Sequence, residues 1–334
     1  MSTAPAPKAC EGSGSLLAYY DTTFAMGADM FEKILVPLDG SPIAQGILPC
    51  VKTLARGFRS RIILFHTAEA PVEPRGRRQK KYAQETLDRI RSLAEEYLAG
   101  VAKELRRERF KVEAKVGLGG VAHSITDFAE AEKVDLIAMS THGRAGLARW
   151  MLGSAPDRVL RHTEQPVLLV RPAGETPVEQ KRYPLRKVIV PLDGSRAAQA
   201  VLPYAQELAK TLKLEVVLIQ VIGAETTVQF SPMGPDTWSI PSDVLQRIDV
   251  LASGYLAGVG KELERQGLSV RWDVLRGSPA QRIVEFAKGT PGSMVAMTTH
   301  GRSGLRRWVL GSVADQVVRA SREPVLVIRP RRGG

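Results

Sequence analysis

Two loops, each present twice in the chain, hold the residues best suited to chemistry. The first reads Pro37, Leu38, Asp39, Gly40, Ser41, and its second copy reads Pro191, Leu192, Asp193, Gly194, Ser195. An aspartate just beyond the carboxyl end of a parallel strand can accept hydrogen bonds from a ribose or an adenine edge, or hold a hydrated cation. The same residues also suit a turn and a helix N-cap, because Ser41 is followed by Pro42. Both roles can hold at once. The second loop runs from His142 and Gly143 through nine residues to Gly153 and Ser154; its copy runs from His300 and Gly301 through nine residues to Gly311 and Ser312. The second glycine and its serine are expected to open a helix. Unpaired amides and the positive dipole end at such a helix start suit a phosphate. A capping box, Ser154 with Asp157 and Ser312 with Asp315, is the competing explanation. Spacing alone leaves the two about even. The long duplicated loop favours the anion site, since a simple cap needs only its immediate neighbours.

Other chemistries are excluded by what the chain lacks. It contains no G-x-x-x-x-G-K-[ST] run, and no G-x-G-x-x-G follows its first strand, so neither a P-loop nor a dinucleotide-binding Rossmann motif is present. His142 and His300 stand at matched positions among five histidines. A structural role closing the loop is preferred over a role on phosphate or as general acid–base. The two cysteines, Cys10 and Cys50, form neither a disulfide framework nor a zinc spacing. No nucleophile–base pair marks a turnover site.

The elements that must position these loops come in two rounds. FEKILVPLDG at 31–40 returns as LRKVIVPLDG at 185–194, and the segment 140–171 aligns without a gap to 298–329, with more than half the positions identical. The second copy carries a small insertion, placed at 222–243. Within the first copy, buried strands are expected at 33–38, 61–67, 111–116, 134–140 and 166–171. Helices are expected at 43–56, 82–107, 121–132 and from 155 to 161. The long second helix shows Leu87, Ile90, Leu93, Ala94, Tyr97 and Leu98 on one face. Alternating strands and helices predict right-handed crossovers, hence an α/β fold with two tandem Rossmann-like domains. Each is a five-stranded parallel sheet with helices on both faces. The division is a loosely ordered tail over 1–30, a first domain over 31–172, a polar linker over 173–182, and a second domain over 183–334. Trp150 and Trp308, matched inside the second loop, are expected to pack over the sheet.

The run V-P-L-D-G-S, the T-H-G-R-[AS]-G-L loop, the L-G-S helix start and the final P-V-L-[LV]-[VI]-R resemble the universal stress protein family, twice over, across 31–172 and 183–330. The resemblance implies an adenine nucleotide alpha-hydrolase-like domain in each copy. ATP-binding members of that family carry a Gly-x2-Gly-x9-Gly-Ser/Thr signature. Here its last two glycines and serine are Gly143, Gly153 and Ser154, then Gly301, Gly311 and Ser312. The position of its first glycine holds Ser140 and Thr298, the latter bulkier and β-branched. By position, Pro37 and Asp39, or Pro191 and Asp193, would meet the adenosine end. The backbone at Thr67 and Val221 would recognise adenine, and Met139 and Met297 would flank the pocket. His142, His300, Ala155 and Val313 complete the implied nucleotide sites. The implied ligand is ATP, or AMP or ADP, with Mg²⁺ held by Asp39 or Asp193. Family members commonly dimerise through their last strands, so the two copies are expected to form an intramolecular pseudo-dimer, with a homodimer of tandem chains a further expectation. The function implied is a stress-response ATP-binding sensor or regulator. The alternatives are an interaction scaffold of the same fold that binds no nucleotide, a slow ATPase, or an ATP-pyrophosphatase-type enzyme.

The formal charge of +12 invites a nucleic-acid reading. However, the basic runs RGRRQKK at 75–81 and RPRR at 329–332 contain no aromatic residue. They are read as solvated charge, not as a nucleic-acid site. No apolar run reaches the roughly 18 residues of a membrane span, and the first residues do not pattern as a signal peptide, so a cytoplasmic location is expected.

Overall fold

The computed structural model describes residues 30–69, 77–141, 152–171, 183–223, 242–300 and 310–330. The expected tail before Met30, the linker 173–182, most of the insertion, residues 75–76 and 331–332 of the basic runs, and His142, Gly143, Trp150, Gly301 and Trp308 lie outside the described residues.

The first repeat runs β1 (Lys33–Pro37), α1 (Pro42–Gln45), α2 (Leu48–Phe58), β2 (Arg61–Ala68), α3 (Arg77–Arg107), β3 (Lys111–Leu118), α4 (Val121–Ala131), β4 (Leu136–Ser140), α5 (Ser154–His162) and β5 (Val167–Val170). The second runs β6 (Lys187–Pro191), α6 (Arg196–Gln199), α7 (Leu202–Leu212), β7 (Glu215–Ile222), α8 (Ser242–Arg265), β8 (Val270–Arg276), α9 (Pro279–Lys288), β9 (Ser293–Thr298), α10 (Ser312–Ala320) and β10 (Val325–Ile328).

Two expectations are corrected. The single helix expected over 43–56 is two helices, α1 and α2, separated at Gly46 and Ile47. Pro49 stands in the first turn of α2, where its missing amide is harmless; in a continuous helix it would have left the carbonyl four residues earlier unpaired. Pro203 makes the same break in the second repeat. In α3, Ala94 and Leu98 are buried as expected, but Leu93 is 59% exposed. Successive helix residues turn by about 100°, so Leu93 stands beside the stripe that Ala94 and Leu98 bury, and the more N-terminal Leu87 and Ile90 are more buried than it is.

The strands form one sheet in the order β3-β2-β1-β4-β5-β10-β9-β6-β7-β8. Each repeat contributes five parallel strands, and β5 meets β10 antiparallel, with Leu168 opposite Leu326. The last strands, which would be exposed edges in an isolated repeat, therefore lie at the centre. The outer strand β3 carries Lys111, Glu113 and Lys115, charges that discourage further pairing. One apolar core lies under α1, α2 and α3 with their counterparts α6, α7 and α8; the other lies under α4, α5, α9 and α10. Both cores contain residues of both repeats. Side chains also cross the seam: the Arg329 guanidinium donates to the carbonyls of Thr163 (3.1 Å) and Arg161 (3.0 Å) at the end of α5, where a cation favours the helix dipole. Arg319 reaches Asp157 at 3.3 Å.

Cys50 sits inside the first core at 1% exposure. Burial pushes its thiol up from 9.0 to about 12. A thiol that cannot ionise does not react. In a Cys10→Ser chain, a thiol reagent at about pH 8 should leave the folded protein unlabelled and should modify Cys50 only as denaturant opens the core. Fast labelling without denaturant would contradict this burial. The linkage has the matching sign: the thiol contributes no instability below 9.0, and stability falls as pH rises from there toward 12, where only the unfolded chain ionises freely.

Candidate functional site

Strand order reverses between β1 and β4, and again between β6 and β9. In an open parallel sheet the crevice beyond the carboxyl ends at such a switch point is where ligands bind. Both duplicated loops start there.

On one face of the sheet, β1 ends at Pro37, and the Leu38 amide is held by the Phe65 carbonyl (2.8 Å). Gly40, with φ of 86°, then turns the chain back, a conformation that favours glycine. The Asp39 carboxylate closes the turn, accepting from the Ser41 amide (2.9 Å) and the Ser41 hydroxyl (2.6 Å). The Ser41 Oγ in turn accepts from the Ala44 amide (3.1 Å) and caps α1. The second repeat repeats this with Gly194 at 84°, Asp193 accepting from the Ser195 amide (2.9 Å), and Ser195 accepting from the Ala198 amide (3.1 Å). The turn-and-cap role of this motif is therefore present.

On the other face, the Thr141 carbonyl accepts from the Gly153 amide (2.9 Å), and the Thr299 carbonyl from the Gly311 amide (2.8 Å). These bonds tie the base of each long loop and set the start of α5 and α10. Gly153 and Gly311 are the N-caps themselves, and neither helix start has a side-chain cap. The capping boxes are not formed. Asp157 instead bonds Arg161 at 2.9 Å, and Asp315 bonds Arg319 at 2.8 Å. The first amide engaged within the helix is that of Asp157, to Gly153 (3.1 Å), and in the second copy that of Asp315, to Gly311 (2.9 Å). The amides of Ser154 and Ala155 precede it in α5, and those of Ser312, Val313 and Ala314 in α10; Pro156 has none.

The glycines are required for closure. A Cβ on Gly311 would stand 2.7 Å from the Thr299 carbonyl oxygen, and one on Gly153 3.2 Å from that of Thr141. Gly311→Ala is thus expected to cost about 1–3 kcal/mol, and Gly153→Ala clearly less. Denaturant melts of the two variants check the order, and equal losses would refute it. Bulky substitution at either glycine therefore disturbs the loop base as well as any ligand.

The remaining predicted residues are placed as follows. Ser140 and Thr298 end β4 and β9 and are 6% exposed each. The Thr298 hydroxyl donates to the His300 carbonyl (2.8 Å), and the His300 ring Nδ1 lies 3.0 Å from the Thr299 hydroxyl. The Ser140 Oγ and the Thr67 Oγ1 near the end of β2 are buried with no partner among the described residues. Val221 occupies the Thr67 position in β7. Met139 and Met297 lie in the second core, one residue before the strand ends. Sequence reasoning passed over His66, whose Nδ1 meets the Leu38 carbonyl at 2.7 Å, and its counterpart Gln220, whose buried Oε1 has no protein partner. It also passed over the pairs Gln45–Tyr97 and Gln199–Tyr255, each 3.0 Å, which tie α1 to α3 and α6 to α8. Their recurrence at matched positions was the available signal. Among the described residues no group of three or more His, Cys, Asp or Glu could hold a metal ion. No described helix is long and apolar enough to cross a membrane.

Two doubly wound α/β repeats, joined through their last strands and each presenting an Asp-Gly-Ser turn opposite an uncapped helix start, define a tandem Rossmann-like protein. The chain belongs to the universal stress protein family, stress-response proteins whose family profile matches residues 30–171 and again 184–329. It is similar to a universal stress protein of Methanocaldococcus jannaschii, MJ0531, with 33% identity over 144 residues, 43% of this chain and 82% of that one. A universal stress protein of Mycolicibacterium smegmatis is 26% identical over 223 residues, 66% of this chain and 69% of the relative. The fold is shared with the crystal structure of a universal stress protein from Archaeoglobus fulgidus, with a TM-score of 0.66 and 20% identity, over 90% of this chain and 99% of that one.

Proposed function

We propose that each repeat binds an adenine nucleotide at its switch point and that the chain acts as a nucleotide-dependent sensor or regulator in the stress response. The observation that carries this reading is the placement of buried polar atoms without protein partners. Among the described residues, Ser140 Oγ ends β4, Thr67 Oγ1 stands one residue before the end of β2 and Gln220 Oε1 two before the end of β7, while Ser60 Oγ and Ser293 Oγ lie at the opposite strand ends. A buried polar group normally has a partner, and a bound ligand with phosphate, hydroxyl and amide groups supplies several. The uncapped starts of α5 and α10, tied to the residues after β4 and β9, suit the phosphates. Asp39 and Asp193 would face the ribose while holding their turns. Mg²⁺ would enter with the phosphates and share one aspartate, because the described residues offer no cage for a cation alone.

The test is to purify the full chain without added nucleotide, denature it and identify released small molecules by mass spectrometry, then titrate the emptied protein with ATP, ADP and AMP, with and without Mg²⁺. Micromolar binding, about −8 kcal/mol, that weakens little between low and moderate salt is expected of a shaped site. No released nucleotide and no binding heat would overturn the reading in favour of an interaction scaffold. Binding that collapses with salt would point to unspecific attraction by the basic surface.

A further inference from the structure

The two repeats differ where their strands end, and the differences concern hydrogen-bond donors. In the first repeat the buried hydroxyls of Ser140 and Thr67 have no partner among the described residues. In the second, the Thr298 hydroxyl already donates to the His300 carbonyl at 2.8 Å, and Val221 replaces Thr67. Near the end of β7 in the second repeat, the Oε1 of Gln220, an acceptor, has no partner among the described residues. Its counterpart His66 is engaged with the Leu38 carbonyl. A hydroxyl can donate to a phosphate or ribose oxygen; an amide oxygen cannot.

Burial gives these differences their weight. The Ser140 hydroxyl is out of water in the free protein, so its desolvation is already suffered on folding. A ligand oxygen that accepts from it gains a hydrogen bond without stripping water from the donor. Recruiting Thr298 would first break its loop bond. One difference works the other way, since Ala314 supplies an amide at the start of α10 that Pro156 withholds from α5. That amide adds one donor to a helix end that offers two others in either repeat, whereas Ser140 and Thr67 supply unengaged hydroxyl donors at positions where the second repeat has the engaged Thr298 and Val221.

We propose that the two sites are unequal: the first repeat is the tight site, its bound nucleotide accepting hydrogen bonds from the Ser140 and Thr67 hydroxyls, and the second binds about tenfold or more weakly, a gap of about 1.4 kcal/mol. This rests on the nucleotide-binding reading above. Titration calorimetry of the full chain with Mg·ATP should resolve two classes, with one tight equivalent per chain. Ser140→Ala should weaken the tight class about tenfold and leave the weak class unchanged. Its melting temperature without ligand should not fall, because removing an unpartnered buried hydroxyl costs no hydrogen bond. Thr67→Val, which installs the second repeat's side-chain shape, should act in the same direction. Two equal sites in the unmodified chain, or a tight class untouched by both substitutions, would overturn the inequality and leave nucleotide binding standing. No binding by the unmodified chain would overturn both.

Discussion

Leu326→Asp is expected to unfold both repeats together in a single transition. Leu326 is 2% exposed and faces Leu168 across the antiparallel joint of β5 and β10. It belongs to the core that runs under α2 and α7 alike. Truncation there, Leu326→Ala, should cost about 2–5 kcal/mol. A carboxylate should cost more, because an unpaired charge out of water is disfavoured unless it takes a proton. The penalty of Leu326→Asp should accordingly grow as pH rises above the ordinary carboxylate range. Leu118→Ala is the control: Leu118 is 53% exposed at the end of outer strand β3, and its loss should fall within about 0.5 kcal/mol. Guanidinium melts followed by circular dichroism and by tryptophan fluorescence should move together for Leu326→Asp. Two transitions, one of them unmoved, would mean that the repeats fold independently and that the shared cores contribute little.

The second large effect is expected at Asp39. Its carboxylate does two things in the proposed function: it closes the turn after β1 and it meets the nucleotide. Asn in its place keeps an Oδ1 that can accept from the Ser41 amide and hydroxyl, since asparagine forms the same kind of turn. It lacks the charge that a ribose hydroxyl or Mg²⁺ would use. Asp39→Asn should therefore leave the melting temperature nearly unchanged while weakening the tight nucleotide class by about 10–150-fold. That is the worth of about 1.5–3 kcal/mol for hydrogen bonds to a charged group. Asp193→Asn should spare the tight class and remove the weak one. If Asp39→Asn lost stability and affinity together, Asp39 would be a structural residue alone; if it lost neither, the adenosine end would lie elsewhere.

Much of this architecture was legible before any coordinates. Near-continuous apolar runs such as ILV and LIAM, alternating with helical spacing, specify buried parallel strands, because both faces of such a sheet are covered. The duplication itself specified two such units, and the resemblance of the final P-V-L-[LV]-[VI]-R strands anticipated where they join. The break between α1 and α2 was also encoded, in Gly46 and Pro49, but apolar spacing continued across it and hid it. Periodicity sees which side chains can be buried and is blind to a single missing amide. Leu93 failed for a different reason: it stands at the flank of the apolar stripe, about 100° round the helix from buried Ala94, and packing covers the middle of that stripe.

The sequence by itself determined the strand–helix order, the repeat, the Asp-Gly-Ser turn with its serine cap, and the glycines that begin α5 and α10. Those features depend on contacts within a few residues or on the strong statistics of apolar pattern. Only the tertiary structure decided which polar groups are satisfied. A capping box for Ser154 and a phosphate site read alike in one dimension. The capping box is not formed in space, because Asp157 turns to Arg161 and Arg319 and the helix start is left without a side-chain cap. Ser140 and Thr298 likewise differ by one methyl group in the sequence. In space the Thr298 hydroxyl is bound to the backbone two residues on, and the Ser140 hydroxyl is buried without a partner among the described residues. Hydrogen-bond satisfaction is a property of the neighbours a fold brings within about 3 Å of an atom, and those neighbours come from strands and loops that no local window contains.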